Sequence, residues 1–167
     1  MGSVPTGTLP DMPQTRDQKI ARLFSAISLP TDWTHVLGQA QRAISKRFSS
    51  GVRWIPPENL HATVRFIGNL PTERAQDLIQ FWGTVQLPKE LPILTLTSCG
   101  CFPSEGPERI LWAGAEASSG SWTALVEYID AALSTFGLTA PVEEPVIHIT
   151  IGRVRNPEAV RGARELL

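Results

Sequence analysis

The amino-acid sequence predicts an α+β fold in which two similar lobes share a central cleft. The predicted elements follow the order strand, helix, hairpin, helix in the first half, and hairpin, helix, strand, helix in the second. A short motif with His first and Thr third occurs once in each half, at residues 61–64 and 148–151. Because a chain of 167 residues suits a single domain, we expect each lobe to contribute one copy of the motif to the cleft.

The first half of the chain alternates strands with amphipathic helices. Residues 20–28 and 60–67 alternate apolar and polar side chains, as strands with one buried face do. After Leu29 and Pro30 end the first strand, Thr31 or Asp32 is expected to cap a helix, and a second helix begins at Thr72. The turn at residues 56–59 predicts a hairpin between strands 52–55 and 60–67. Side chains expected in the core are Trp33, Val36, Leu37, Ala40 and Ile44 of the first helix and Ala75, Leu78, Ile79 and Trp82 of the second.

The second half predicts three more strands and two more helices. Strands at residues 93–97 and 109–115 are joined by a loop rich in turn formers. A helix over residues 121–136 ends at Gly137, and a strand over residues 146–154 carries the second motif. Asn156 and Pro157 are typical of a helix start, so a last helix is expected to run to the C-terminus.

Composition restricts the class of protein. Residues 1–18 are rich in Pro, Gly and Thr and lack an apolar segment, so we expect a disordered leader, and neither a signal peptide nor a membrane span, before a domain over residues 19–167. A net charge of -1 excludes a broad basic surface for nucleic acid. Cys99 and Cys101 have the spacing of neither a zinc framework nor a Cys-x-x-Cys redox motif. We expect them to be reduced thiols of a cytoplasmic protein.

The two motifs place matched pairs of polar side chains on strands. Residues two apart share a face, so His61 projects beside Thr63, and His148 beside Thr150. Their apolar neighbours, Val64 and Phe66 in the first run and Ile147, Ile149 and Ile151 in the second, are expected on the buried face. A single such pair is more simply explained by half-buried strand residues, with Thr present for its β-propensity. Since chance would produce the repeat only roughly twice in a hundred sequences, the repeat favours chemistry.

Four segments carry a resemblance to a known family: residues 22–27, 53–68, 109–114 and 148–153, of which 54–68 is the most specific. Over residues 20–167 the chain resembles the bacterial RNA 2′,3′-cyclic phosphodiesterases, also called 2′-5′ RNA ligases, which belong to the two-histidine phosphoesterases. The resemblance implies two lobes whose antiparallel sheets line the cleft, with helices outside. It also implies hydrolysis of 2′,3′-cyclic phosphate at RNA ends or on cyclic nucleotides to a 2′-phosphate, without metal or cofactor. Some relatives also join RNA halves reversibly.

The resemblance also implies roles for the motif residues. His61 would be the proton donor to the leaving oxygen and His148 the proton acceptor that activates water. Thr63 and Thr150 would hold the non-bridging phosphate oxygens. In-line displacement needs an acid and a base on opposite sides of phosphorus, and imidazole serves both roles near neutral pH. From the residues alone the two histidines are equivalent. A metal site built from both histidines and a cysteine would need a clustered third ligand, which the sequence lacks, so no metal is expected.

Two further residues are candidates for substrate binding. Arg65 lies two residues after Thr63 and so shares its predicted face, where it could steady the phosphate or form a salt bridge at the rim. Gly152 is its equivalent in the second motif, and Arg153 is expected on the other face as a structural or exposed residue. Phe102 could stack on a base, although a core position is the simpler interpretation.

The chain also departs from the family it resembles. Relatives usually add two strands after the last helix, and these are absent from the sequence. An incomplete sheet edge would favour self-association or impaired activity. Three functions therefore stay open: the cyclic phosphodiesterase, a related phosphodiesterase acting on 2′-5′ oligonucleotides or ADP-ribose cyclic phosphate, and a non-catalytic module that binds RNA ends.

Overall fold

Six strands and three α-helices make up the computed structural model, which describes residues 19–48, 50–139 and 146–164. The leader predicted for residues 1–18 lies outside the described residues. The elements are β1 (Ile20–Ser28), α1 (Thr31–Ser45), β2 (Val52–Trp54), β3 (His61–Pro71), α2 (Thr72–Trp82), β4 (Leu94–Phe102), β5 (Ile110–Ala117), α3 (Ser121–Thr135) and β6 (His148–Val154).

All six strands belong to one antiparallel sheet in the order β1-β3-β6-β5-β4, with β2 also paired to β6. The two halves of the chain meet where the motif strands β3 and β6 touch, through the pair Ala62 and Ile149. Both side chains are fully buried. The predicted α+β class with antiparallel strands is confirmed, and the two predicted sheets are continuous through the motif strands.

A hydrophobic core lies between the helices and one face of this sheet. Each helix contributes buried side chains to the same cluster, such as Leu37 of α1, Leu78 of α2 and Leu133 of α3. The sheet contributes Val64 and Ile149 from the two motif strands. Since the helices cover this face, the opposite face of the motif strands is left open. No helix among the described residues is long and apolar enough to cross a membrane.

The predicted hairpin between strands 52–55 and 60–67 is wrong, because β2 pairs with β6. The cause is Gly152 of β6, whose missing side chain leaves room for β2. A Cβ at Gly152 would lie 2.8 Å from Val52 Cγ1 and 3.3 Å from the ring of Trp54. This close approach brings residues from the first half of the chain against the second motif strand.

The helices differ from the prediction in three places. Helix α1 follows Pro30 without a side-chain cap from Thr31 or Asp32. Val36 and Ile79, expected in the core, are 53% and 61% exposed because they lie at the edges of their apolar stripes. The last helix is only a 3-10 turn, Pro157–Val160, which Asn156 caps by accepting from the Glu158 amide. Helical geometry ends at Arg161, whose ψ is 130°, and Gly162 then takes a left-handed φ of 84°.

Candidate active site

A β-bulge decides which side chains of β3 face the open side of the sheet. The residues on either side of Val64, Thr63 and Arg65, pair with consecutive residues of β1, so Val64 is an extra residue. One extra residue shifts the alternation of faces by one position. Consequently Phe66, predicted to be buried, is 46% exposed and lines a cleft together with His61 and Thr63.

The same shift corrects the prediction for Arg65. Its side chain points into the core, where only 5% of it is exposed, and it neither lines the cleft nor forms a salt bridge at the rim. Nε of Arg65 donates to Oδ1 of Asp130 at 2.7 Å, and Nη2 donates to the other carboxylate oxygen. Since Asp130 lies on α3, this ion pair ties the bulged part of the first motif strand to a helix of the second half.

The second motif strand contains the same bulge. The residues on either side of Ile151, Thr150 and Gly152, pair with consecutive residues of β5, so Ile151 is the extra residue in β6. Arg153 therefore lines the cleft with His148 and Thr150, and its predicted place on the other face is wrong. Phe66 and Arg153 are both the fifth residue after a motif histidine. That equal spacing is the signal that could have identified them from the sequence.

All four motif side chains line one cleft of about 360 Å³. Extending the register of Ala62 and Ile149 by one residue in each direction places His61 opposite Thr150, and Thr63 opposite His148. The two histidines are then diagonal neighbours, which lie about 7–8 Å apart in such a ladder, with their Cβ atoms slightly closer. A phosphate group between two imidazoles needs a separation of this size.

Both histidine rings are oriented by the same hydrogen bond. Nδ1 of His61 lies 2.8 Å from the carbonyl oxygen of Asn59, and Nδ1 of His148 lies 2.8 Å from that of Val146. A carbonyl oxygen only accepts, so Nδ1 carries a hydrogen in both rings. Nε2 is left in each ring to give or take a proton. Acid–base catalysis requires this arrangement.

Each histidine also has one phenylalanine partner, but the geometries differ. Phe24 of β1 stacks on His61, with ring centroids 4.9 Å apart and an interplanar angle of 21°. Phe102 of β4 meets His148 edge to face, at 5.3 Å and 87°. Phe102 also stacks on Trp112 and is not among the residues lining the cleft, so its contacts are those of a residue that supports His148.

The remaining cleft residues supply apolar surface and positive charge. Among the residues that the structure describes, no carboxylate lines the cleft, whereas Arg22 and Arg153 do. The site therefore suits an anion, although the whole chain has a net charge of -1. Most of this lining was not expected from the sequence, and it consists of Arg22, Phe24, Ile55, Phe66, Ile110 and Arg153.

A buried glutamine holds the second bulge. Gln41 of α1 is 6% exposed, and its Nε2 donates to the carbonyl oxygens of Ile55 at 2.6 Å and Ile151 at 2.8 Å. Both amide hydrogens are thus used, one of them on the extra residue of the bulge. Its sequence signal is a polar residue on an apolar helix stripe, four residues after Leu37.

Other reactive groups are placed less favourably for chemistry. Burial raises the pKa of the Cys101 thiol, and the nearby Glu108 carboxylate raises it further, so the thiol stays protonated and is a poor nucleophile. Among residues 19–48, 50–139 and 146–164, no three His, Cys, Asp or Glu side chains form a group that could hold a metal ion.

Comparison with known proteins places this geometry in a family. A family model described as LigT-like phosphoesterase matches residues 27–112. A curated protein of Methanocaldococcus jannaschii named RNA 2′,3′-cyclic phosphodiesterase is 30% identical over 134 residues, which cover 80% of this chain and 72% of the relative. One of the same name from Archaeoglobus fulgidus is 28% identical over 141 residues, covering 82% and 76%.

A solved structure agrees with the sequence matches. A crystal structure of a Thermus thermophilus protein superposes with a TM-score of 0.65 at 29% identity, covering 82% of this chain and 76% of that one. The fold, the family model and the relatives agree: the chain belongs to the LigT-like phosphoesterase family.

Proposed function

We propose that this phosphoesterase opens 2′,3′-cyclic phosphate, at the end of an RNA strand or on a nucleotide, to a 2′-phosphate without a metal ion. The observation that carries the proposal is the pair of diagonal histidines, each with Nδ1 bound to a carbonyl and Nε2 left for proton transfer. The names of the relatives support the choice of substrate.

The chemistry needs one proton transfer on each side of phosphorus. Nε2 of His148 takes a proton from water as the water oxygen bonds to phosphorus. Nε2 of His61 gives its proton to the 3′-oxygen as the bond between phosphorus and that oxygen breaks. One imidazole must be neutral while the other is protonated, so kcat/KM should follow a bell-shaped pH profile whose limbs belong to the pair.

The other cleft residues bind the rest of the substrate. The hydroxyls of Thr63 and Thr150 donate to the non-bridging oxygens, where negative charge develops in the transition state. Arg153 adds a positive charge beside them. The apolar rings of Phe24 and Phe66 offer a surface on which a base can stack, an interaction that tolerates any base.

The assignment of His61 as the acid and His148 as the base follows the roles that the resemblance to the family implies for the two motif histidines.

The test is product analysis with 2′,3′-cyclic AMP in excess EDTA. We expect 2′-AMP to accumulate at the same rate with and without the chelator. A variant carrying both His61→Ala and His148→Ala is the control for contaminating activity. Formation of 3′-AMP, or loss of activity in EDTA, would contradict the proposal. Binding without turnover would identify a non-catalytic module, and turnover only of 2′-5′ oligonucleotides or ADP-ribose cyclic phosphate would identify a related phosphodiesterase.

Location and self-association are part of the same proposal. A phosphodiesterase for RNA ends acts where RNA is processed, which we take to be the cytoplasm. Among the described strands, β1 pairs only with β3, and β4 only with β5, so each leaves one edge open to a second copy. Light scattering measures whether the protein associates through these edges.

A further inference from the structure

A second arginine lies beside Arg153 on the cleft side of the sheet. Arg53 of β2 is its direct partner across the β2–β6 ladder, and directly opposed residues share a face. The neighbours of Arg53 confirm its orientation, because Val52 and Trp54 pack over Gly152 on the core side. The side chain of Arg53 therefore projects to the open side, next to Arg153.

These two like charges are not neutralised by any residue that the structure describes. Both residues are exposed, and within the described part of the chain neither guanidinium has a carboxylate or a hydrogen-bond partner. Like charges directly opposite each other in a sheet are destabilising. By contrast, Arg65 and Arg161 each have a carboxylate partner. An anion between Arg53 and Arg153 would remove the repulsion, and guanidinium groups suit phosphate oxygens because they bind in a bidentate manner.

The pair continues the catalytic cleft outward. Arg153 lines the cleft itself, and Ile55, two residues after Arg53 on the same side, lines it too. An anion bound by both arginines would therefore lie next to the reacting phosphate.

We propose that Arg53 and Arg153 form a second phosphate site, which binds the phosphate on the 5′ side of the terminal nucleoside. This inference rests on the proposed function, since it assumes a 2′,3′-cyclic phosphate between the histidines. Two sources share the chemistry: the phosphodiester of an RNA strand, and the 5′-phosphate of a free nucleotide. In both cases the enzyme prefers substrates with this second phosphate over the cyclic nucleoside monophosphate.

Three substrates test the proposal on the unaltered protein: 2′,3′-cyclic AMP, the same nucleotide with a 5′-phosphate, and the dinucleotide ApA with a terminal 2′,3′-cyclic phosphate. We expect KM about 10-fold lower for at least one of the last two, as for a charged hydrogen bond. A lower KM for both the 5′-phosphorylated nucleotide and the dinucleotide would show that the site binds any 5′-phosphate. A lower KM for the dinucleotide alone would show that it binds a phosphodiester. Equal KM for all three would overturn the site while leaving the proposed function intact. If none of the three substrates is hydrolysed, the proposed function is overturned instead.

A variant assigns the effect to the residue. Arg53→Gln should raise KM about 10-fold for the substrates with a second phosphate and leave KM for 2′,3′-cyclic AMP unchanged. Arg47→Gln, which removes the same charge from an exposed residue after α1, is the control and should change neither. A similar rise in KM for all three substrates would show that Arg53 is not specific to a second phosphate.

Discussion

The two motif strands are alike in how they hold their histidines and differ in the residues that surround them. Both β3 and β6 have an extra residue directly after the motif threonine, and both fix their histidine through Nδ1 to the carbonyl two residues earlier. The fifth residue after the histidine is Phe66 in one strand and Arg153 in the other. In the proposed mechanism the shared features serve acid–base chemistry, and the differing ones serve recognition of a base on one side and of phosphate on the other.

The strands are also held in different ways. The first bulge is followed by Arg65, which forms an ion pair with Asp130 of α3. The second is followed by Gly152, over which β2 packs, and its extra residue accepts a hydrogen bond from Gln41 of α1. Each motif strand is thus supported by a helix that lies in the opposite half of the chain. This crossed support couples the two halves of the active site.

Removing either motif histidine should have the largest effect. We expect His61→Ala and His148→Ala each to lower kcat by about 10² to 10⁴, the range for loss of a general acid or base. His35→Ala is the matched control, because this third histidine is exposed on α1, and should leave kcat unchanged. Steady-state kinetics on 2′,3′-cyclic AMP measures the effect. Near wild-type activity in either motif variant would show that the histidine it lacks takes no part in catalysis.

Breaking the ion pair under the first bulge should mainly affect stability. Asp130→Ala removes the carboxylate that pairs with the buried guanidinium of Arg65. We expect a loss of about 3 kcal/mol in the free energy of unfolding, the lower end for a buried pair because the Asp130 side chain is 29% exposed. Urea unfolding measures it, with Glu127→Ala on the exposed side of α3 as the control. Equal losses in the two variants would show that the pair has no special role.

Removing the amide under the second bulge should affect turnover more than stability. Gln41→Met keeps the side-chain length but removes the side-chain donor from the Ile55 carbonyl and one of two donors from the Ile151 carbonyl, which still accepts from the Ile55 amide. We expect kcat about 10-fold lower through misplaced Thr150 and Arg153, and hydrogen exchange at the Gly152 amide to become faster. Gln39→Met, exposed on the same helix, is the control. A lower melting temperature with unchanged kcat would limit Gln41 to a structural role.

Truncating the aromatic residue that lines the cleft from the first motif strand, Phe66 of β3, should have the smallest effect. Phe66→Ala removes a stacking surface, so KM for 2′,3′-cyclic AMP should rise about 5-fold at constant kcat. Phe102→Leu, which changes the partner of His148, should lower kcat instead. The ratio of the two constants in each variant separates recognition from catalysis. A lower kcat in Phe66→Ala and a higher KM in Phe102→Leu would contradict these roles.

Local patterns in the sequence were sufficient for most elements but not for their pairing. Strand and helix periodicity predicted β1 with its observed bounds and the start of α2 at Thr72, and the repeated motif identified four side chains of the cleft. The bulges were missed because one extra residue changes the face without changing the local pattern. This is why Arg65 and Phe66 were assigned to the wrong faces. The pairing of β2 was missed because it depends on Gly152, about a hundred residues away.

In the proposed mechanism His61 of one motif strand donates a proton while His148 of the other accepts one. A substitution of the leaving group tests this division most directly. In a 2′,3′-cyclic substrate whose 3′-oxygen is replaced by sulfur, the thiolate leaves without a proton because thiols are much more acidic than alcohols. We expect this substrate to restore most of the activity lost in His61→Ala and none of that lost in His148→Ala. Rescue of His148→Ala alone would reverse the assignment, and equal behaviour of both variants would contradict an acid–base pair divided between the two strands.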